Sequence, residues 1–237
     1  MVRLVCADRP GVLCLQEVPV WALERLGEWS GMTVFGEVAA RPRLGSAELG
    51  RRITELHHGL FRSAFTGQAN AILLAPGLTA LERRTIVLNC RRFRSEQARV
   101  HGLGLRERLT WAKERRVCQA VRIQAPNALV ANLHASAVAD ERLTDAELLR
   151  AAGFADELAR PEEICVLAGD FNVRAERSQT VARLTGPEGG FSAPGPKVDH
   201  VLVRGAAVEG PSVWPVERRR VDGRLLSDHA PIEVRIR

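Results

Sequence analysis

Ile164-Cys165-Val166-Leu167-Ala168-Gly169-Asp170-Phe171-Asn172 is the stretch that decides how the rest of the chain is read. Five apolar or small residues lead into a glycine and then present an aspartate and an asparagine two positions apart. An unbroken apolar run of this length fits a strand buried on both faces. Side chains alternate along a strand, so Asp170 and Asn172 share one side and Phe171 takes the other. A carboxylate and a carboxamide at the end of a buried strand suit a phosphate, a metal or a water. An Asp-x-Asn turn closed by its own side-chain hydrogen bonds is the competing reading of these residues alone.

Working outward, four more segments place polar residues at strand ends or tight turns. Val12-Leu13-Cys14-Leu15-Gln16-Glu17 is a short apolar strand that ends in a carboxylate. A carboxylate is costly to bury unpaired, so Glu17 is expected at the strand's exit, facing a cation or a donor. Val117 to Gln124 and Ala128 to His134 predict a hairpin around Pro126-Asn127. Its second strand ends in Asn132-Leu133-His134, which repeats the one-face spacing of Asp170 and Asn172. Val198 to Val203 is a strand in which Asp199 and His200 point to opposite faces. Ser227-Asp228-His229-Ala230-Pro231 is a tight turn before a last strand, Ile232 to Ile236.

Between these segments the pattern alternates helix and strand. A helix is expected over Pro19 to Trp29, and a second from Ser46 to about Phe61, with His57 and His58 near its end as surface or capping residues. Strands are expected after Gly67 and over Thr85 to Asn89. The Arg-dense segment Arg91 to Arg116, broken by Gly102 and Gly104, reads as a solvated basic loop, and Trp214 to Arg224 as another. Thr144-Asp145-Ala146-Glu147 fits a capping box opening a helix to about Ala159. Glu176 to Leu184 reads as a short helix, and the Gly- and Pro-rich Gly186 to Lys197 as a loop. The alternation predicts a single α/β domain over residues 1–237.

Bulk composition narrows the class. A chain of 237 residues with 46% hydrophobic and 26% charged residues has the make-up of a globular protein. No apolar run reaches the roughly 20 residues that span a bilayer, and the first residues do not form a signal peptide. The expectation is a cytoplasmic protein, a monomer with no membrane partner. Its five cysteines are odd in number and contain no C-x-x-C pair, so they read as small buried residues of a reduced protein. The net charge of +6 is carried almost entirely by arginine, whose planar fork matches phosphate. GC-rich coding explains an Arg-, Ala- and Gly-rich chain without tyrosine equally well, so charge supports an anionic partner without establishing one.

Taken together, Leu-Gln-Glu at 15–17, Asn-Leu-His at 132–134, Gly-Asp-Phe-Asn at 169–172, Val-Asp-His at 198–200 and Ser-Asp-His-Ala-Pro at 227–231 resemble the endonuclease/exonuclease/phosphatase superfamily, the DNase I-like proteins. Each motif alone is weak; five in the family's order across nearly the whole chain are specific. The resemblance implies a four-layer α/β/β/α sandwich with its site along one rim of strand ends. It implies a metal-dependent phosphoesterase, foremost a phosphodiesterase or nuclease acting on DNA or RNA. Glu17 would be the main ligand for Mg²⁺ or Mn²⁺, with Asp228 close to the metal. Asp170 would orient or deprotonate the attacking water, and Asn172 would hold that water or a phosphate oxygen. His229 would bind the phosphate or move a proton, with Asp199 holding its other ring nitrogen. His134 would stabilise or protonate the departing oxygen. Asn132 and His200 would be structural.

The family pattern begins with a strand ending in Asn, often Trp-Asn, which has no match here. Met1 falls where the following helix belongs. A misassigned start and a true truncation that weakens the metal site are both open, the first being preferred. The second leads to an alternative function: a catalytically weak nucleic-acid or phosphate-binding module.

Overall fold

The computed structural model describes residues 1–42 and 65–237. The helix expected over 46–61, with His57 and His58, lies outside the described residues. The described part is a mixed α/β structure. Its main sheet has five strands in the order β4 (Ala80–Val87), β5 (Val117–Ile123), β6 (Ala128–His134), β7 (Ile164–Asp170) and β8 (Asp199–Arg204). Only the β6–β7 pair is parallel; the other neighbours run antiparallel. The long helix α5 (Glu141–Leu158) makes the crossover that a parallel pair requires. A second layer contains β1 (Val12–Val18), β3 (Gln68–Leu74) and β2 (Thr33–Ala40), in that order, and a separate pair, β9 (Val208–Val213) with β12 (Ile232–Ile236).

Three apolar clusters hold the layers together. One lies between the five-stranded sheet and the helices α5 and α6 (Gln179–Thr185), with Leu133, Leu148, Leu167 and Val181 at its centre. A second fills the space between the two sheet layers, built from Ile72, Leu74, Val121, Val130, Val166 and Val203. The third packs β3 against a 3-10 turn at Val20–Arg25 and helix α2 (Leu26–Ser30), through Ala69, Ala71, Leu73, Ala22 and Leu26. The same strand supplies adjacent clusters by alternation: Leu167 faces the helices, while Val166 and Ala168 face the other sheet. The strand Ile164–Asp170 is therefore buried on both sides, as its unbroken apolar run predicts.

A short helix, α1 (Val2–Cys6), precedes β1. β1 pairs with β3 and β12 pairs with β9; on their other edges neither has a strand partner among the described residues. All five cysteines are free, with Cys118 and Cys165 fully buried. No helix among the described residues is long and apolar enough to cross a membrane.

Several local expectations need correcting. Arg91–Arg116 is not a loop but a pair of helices, α3 (Arg91–Val100) and α4 (Leu105–Ala112). Arg, Gln, Leu and Ala are good helix formers, and the two glycines punctuate rather than dissolve the structure. Gly102, at φ +63°, sits in the turn between the helices, and Glu107 reaches back to accept the Gly104 N–H at 2.6 Å. The Thr144–Glu147 capping box does not open α5; the helix begins earlier, with the Asp140 carboxylate accepting the Arg142 N–H at 3.1 Å. Thr144 and Glu147 lie one turn inside and face the core, where their polar groups make tertiary bonds. The basic loop at 214–224 contains a 3-10 turn at Glu217–Arg219 and a two-residue hairpin, β10 (Arg220–Val221) with β11 (Arg224–Leu225). Strands β2 and β9 were not evident from the pattern, because both carry Gly and few large apolar residues.

Candidate active site

Strand register builds the site. His134 ends β6, Asp170 ends β7 and Asp199 begins β8, and the ladder pairs His134 with Asp170 and Asp170 with Asp199. The three side chains thus form one row across three adjacent strands. Their parity along each strand matches Val130, Val166 and Val203, which line the space between the sheets. The row therefore continues the inter-sheet face past the end of the apolar core, at the rim.

The loop after β7 folds back on this row. Asn172, in the left-handed region at φ +51°, donates its backbone N–H to Asp170 Oδ1 at 2.9 Å. Its Nδ2 donates to the Ala135 carbonyl at 2.9 Å, which ties the ends of β6 and β7 together. The Asp-x-Asn turn and the site are thus the same structure: the turn fixes one oxygen of Asp170 and leaves the other, Oδ2, facing His134 Nε2 at 3.6 Å. Phe171 points the other way, into the helix-side core, where its ring meets His200 edge-on at 4.9 Å between centroids. His200 donates to or accepts nothing within the row; its Nε2 lies 3.1 Å from the Val173 carbonyl, and it is structural.

Asn132 is also structural. It is fully buried, accepts from Gln16 Nε2 at 2.7 Å, and donates to the carbonyls of Leu15 and Ala71 at 3.0 and 3.1 Å. These bonds cross between the two sheets just beneath the rim. They anchor the end of β1, where the register slips between Leu15 and Val18 and Glu17 adopts φ +53°.

The turn before β12 supplies the last component. His229 Nδ1 lies 2.9 Å from Asp199 Oδ2 and 3.0 Å from Oδ1. Asp228 is exposed, and its Oδ1 accepts the His229 N–H at 3.2 Å.

Electrostatics separate the roles of these groups. Burial, reinforced by the negative charge of Asp199, pushes the Asp170 carboxyl up to about 6. The hydrogen bond that its Nδ1–H donates to the Asp199 carboxylate raises His229 to about 9, so its ring is an imidazolium at neutral pH. Burial, with Arg116 and His229 as nearby positive charges, lowers His134 well below the usual histidine range and holds it neutral. Arg116 was not singled out from the sequence. It is 6% exposed, and its NH1 lies 2.9 Å from His134 Nδ1 and 3.0 Å from Nε2. NH2 of the same guanidinium bonds Glu114 Oε2 at 2.6 Å. The signal in the sequence was its place: an arginine directly before strand β5, which is buried along its whole length, has no solvated face to occupy.

The donor set suits a hard divalent cation. Asp170, Asp199 and His229 each bring one potential ligand atom within 4.8 Å of the others. Glu17 and Asp228 are not in that group, although the charge of Glu17 reaches Asp170 and that of Asp228 reaches His229. The negative charge of Asp199 that raises Asp170 would be relieved by a cation, and oxygen is the donor Mg²⁺ or Mn²⁺ prefers. His229 is better matched to an anion, since an imidazolium has no lone pair to give.

Solved structures share the fold. The mannosyl-6-phosphatase of Bacteroides thetaiotaomicron is 16% identical and aligns over 99% of this chain and 88% of its own, with a TM-score of 0.64. Truncated TDP2 of Caenorhabditis elegans is 15% identical over 99% of this chain and 88% of its own, with a TM-score of 0.61. The catalytic domain of human Nocturnin, solved with a bound sulfate anion, is 13% identical over 87% and 76%, with a TM-score of 0.55. At such identities the likeness is one of fold. No curated protein sequence matches the chain. A profile of the Endonuclease/Exonuclease/phosphatase family matches residues 3–229, which contain the whole row and His229, and the chain belongs to that family.

Proposed function

We propose that this protein is a metal-dependent phosphoesterase that hydrolyses phosphodiesters, with DNA or RNA as the substrate class. The observation that carries the reading is the row His134–Asp170–Asp199, completed by His229 on Asp199. Its members are held in three different charge states by their surroundings.

Asp170 acts on the attacking water. A carboxyl held near 6 is ionised at neutral pH yet basic enough to take a proton, and the Asn172 N–H fixes its orientation. Asp199 holds Nδ1 of His229, which leaves Nε2–H to donate to a non-bridging phosphate oxygen. His134, neutral and braced by Arg116, offers a hydrogen bond to the departing oxygen rather than a full proton. Glu17, Asp228 and the carboxylates of the row would hold Mg²⁺ or Mn²⁺, whose chemistry there would be to polarise the phosphoryl group. Asn172 steadies the strand ends through Ala135, and its amide oxygen remains for the water.

The test is hydrolysis of bis-(p-nitrophenyl) phosphate and nicking of plasmid DNA, with and without EDTA, for the natural protein and Asp170→Ala. EDTA-sensitive turnover that falls at least 10²-fold in the variant is expected, on the order of a lost general base. Turnover that survives both treatments would refute the mechanism. A second reading, phosphate or nucleic-acid binding with little turnover, draws on one observation: Glu17 and Asp228 lie outside the compact ligand group. It predicts tight nucleic-acid binding by a protein that fails both hydrolysis assays.

A further inference from the structure

Charge is distributed very unevenly along this chain. Residues 91–116 contain nine basic and three acidic residues, a net +6 that equals the net charge of the whole protein. Elsewhere basic and acidic residues balance, so the excess belongs to the α3–α4 helical hairpin and the four residues that follow it. Among the described residues no ion pair engages Arg91, Arg92, Arg99, Arg106 or Arg108.

The hairpin forms a half-open cavity of about 280 Å³. Arg91, Arg94 and Arg108 are among the residues that line it, with Leu105, Leu109 and Trp111, and the Arg94 guanidinium donates to the Asn89 carbonyl. Leu105 and Leu109 are 72% and 63% exposed, a costly place for leucine beside so many charges unless something covers it. Two chains of hydrogen bonds fix this cavity to the active-site rim. Trp111 Nε1 donates to Glu147, which also accepts the N–H of Ser136, two residues past His134. Asn89, just before α3, bonds the Glu114 carbonyl and the Arg116 N–H, and Arg116 reaches His134 itself.

We infer that the α3–α4 cavity binds one nucleotide of a single-stranded nucleic acid whose scissile phosphate occupies the Asp170 row. The phosphate lies on the forks of Arg91 and Arg108, and the base covers Leu105 and Leu109. A flat membrane surface is a poorer match, because the apolar groups line a concavity instead of one continuous helix face. The inference rests on the phosphodiesterase reading for what occupies the row. A mostly apolar cavity bordered by arginines is what a nucleotide, anionic at one end and flat and apolar at the other, requires.

The experiment measures anisotropy of a fluorescein-labelled, hydrolysis-resistant phosphorothioate dodecathymidylate with the full chain, from 50 to 300 mM salt. Arg91→Ala/Arg108→Ala should weaken binding roughly tenfold at low salt and lower the slope of log Kd against log salt by about 0.7, the value for one phosphate neutralised on a single strand. Leu109→Ser, at an exposed site that does not threaten folding, should weaken binding several-fold with the slope unchanged. Unchanged Kd and slope in the double variant would overturn the proposal. So would a double variant that loses adsorption to phosphatidylserine vesicles while keeping the oligonucleotide. Hydrolysis of bis-(p-nitrophenyl) phosphate by the natural protein reports separately on the phosphodiesterase reading: if it fails while binding still depends on Arg91 and Arg108, the row's function is wrong and the cavity's is right.

Discussion

Gly169→Ala should be among the most damaging single-methyl changes this fold can suffer. Gly169 has φ +139°, where a side chain is strained whatever the space around it. A Cβ built there would stand 1.9 Å from the Leu133 carbonyl oxygen, its partner across the parallel β6–β7 ladder. That oxygen is backbone in a central strand, so it has no rotamer to give. The conformational strain costs about 1–3 kcal/mol. Relieving the contact means separating β6 from β7, at about 1 kcal/mol for each ladder hydrogen bond lost. Together these give about 3–5 kcal/mol, a large share of the roughly 5–15 kcal/mol that holds a folded protein. With an m-value of about 2 kcal/mol per molar urea, the unfolding midpoint should fall by about 2 M. Gly153→Ala is the contrast: Gly153 lies on the exposed side of α5 with nothing within 4 Å of a new Cβ, and alanine there should stabilise by about 0.5–1 kcal/mol. A Gly169→Ala midpoint within about 0.5 M of the natural protein's would refute the claim that glycine is required by the close approach of β6.

Two further outcomes follow from the electrostatics. In the metal-free protein, ring proton shifts of His229 should titrate near 9, and Asp199→Asn should bring that midpoint down by removing its largest cause. Because the folded pKa is raised, the pair stabilises fully below the ordinary histidine value near 6.5 and that contribution is lost as pH climbs through about 9; a His229 midpoint below 7 in the natural protein would remove the imidazolium from the mechanism. Arg122, 3% exposed, is paired with the fully buried Glu163 carboxylate and also bonds Glu82 and the Leu158 carbonyl. Arg122→Leu should cost about 3–5 kcal/mol by stranding Glu163, and the double change Arg122→Leu/Glu163→Leu should recover part of it, as urea midpoints would report.

What the sequence by itself determined was the set of parts. Apolar runs marked β1, β5, β6, β7 and β8, and polar residues at their ends marked Glu17, His134, Asp170 and Asp199. Those signals are local: a strand buried on both faces must be apolar, and a polar residue next to it must sit at an end. The turn reading of Asp170-Phe171-Asn172 was also available from the residues themselves, and the Asn172 N–H on Asp170 Oδ1 bears it out. Strands β2 and β9 were illegible because their place comes from pairing with β3 and β12, not from their own residues. The Arg-rich segment misled because charge suggests solvent, yet helix propensity and one buried tryptophan, Trp111, decide its structure.

Tertiary structure alone decided how the parts meet. Register across β6, β7 and β8 sets His134, Asp170 and Asp199 side by side, though 36 residues separate the first from the second and 29 the second from the third. Charge state is decided at the same level. Asp170 is raised by its burial and by Asp199, His229 by Asp199, and His134 is kept neutral by burial and Arg116. A side chain's identity fixes what it can ionise to, but which state it takes depends on neighbours and water, and both are assigned only when the chain has folded.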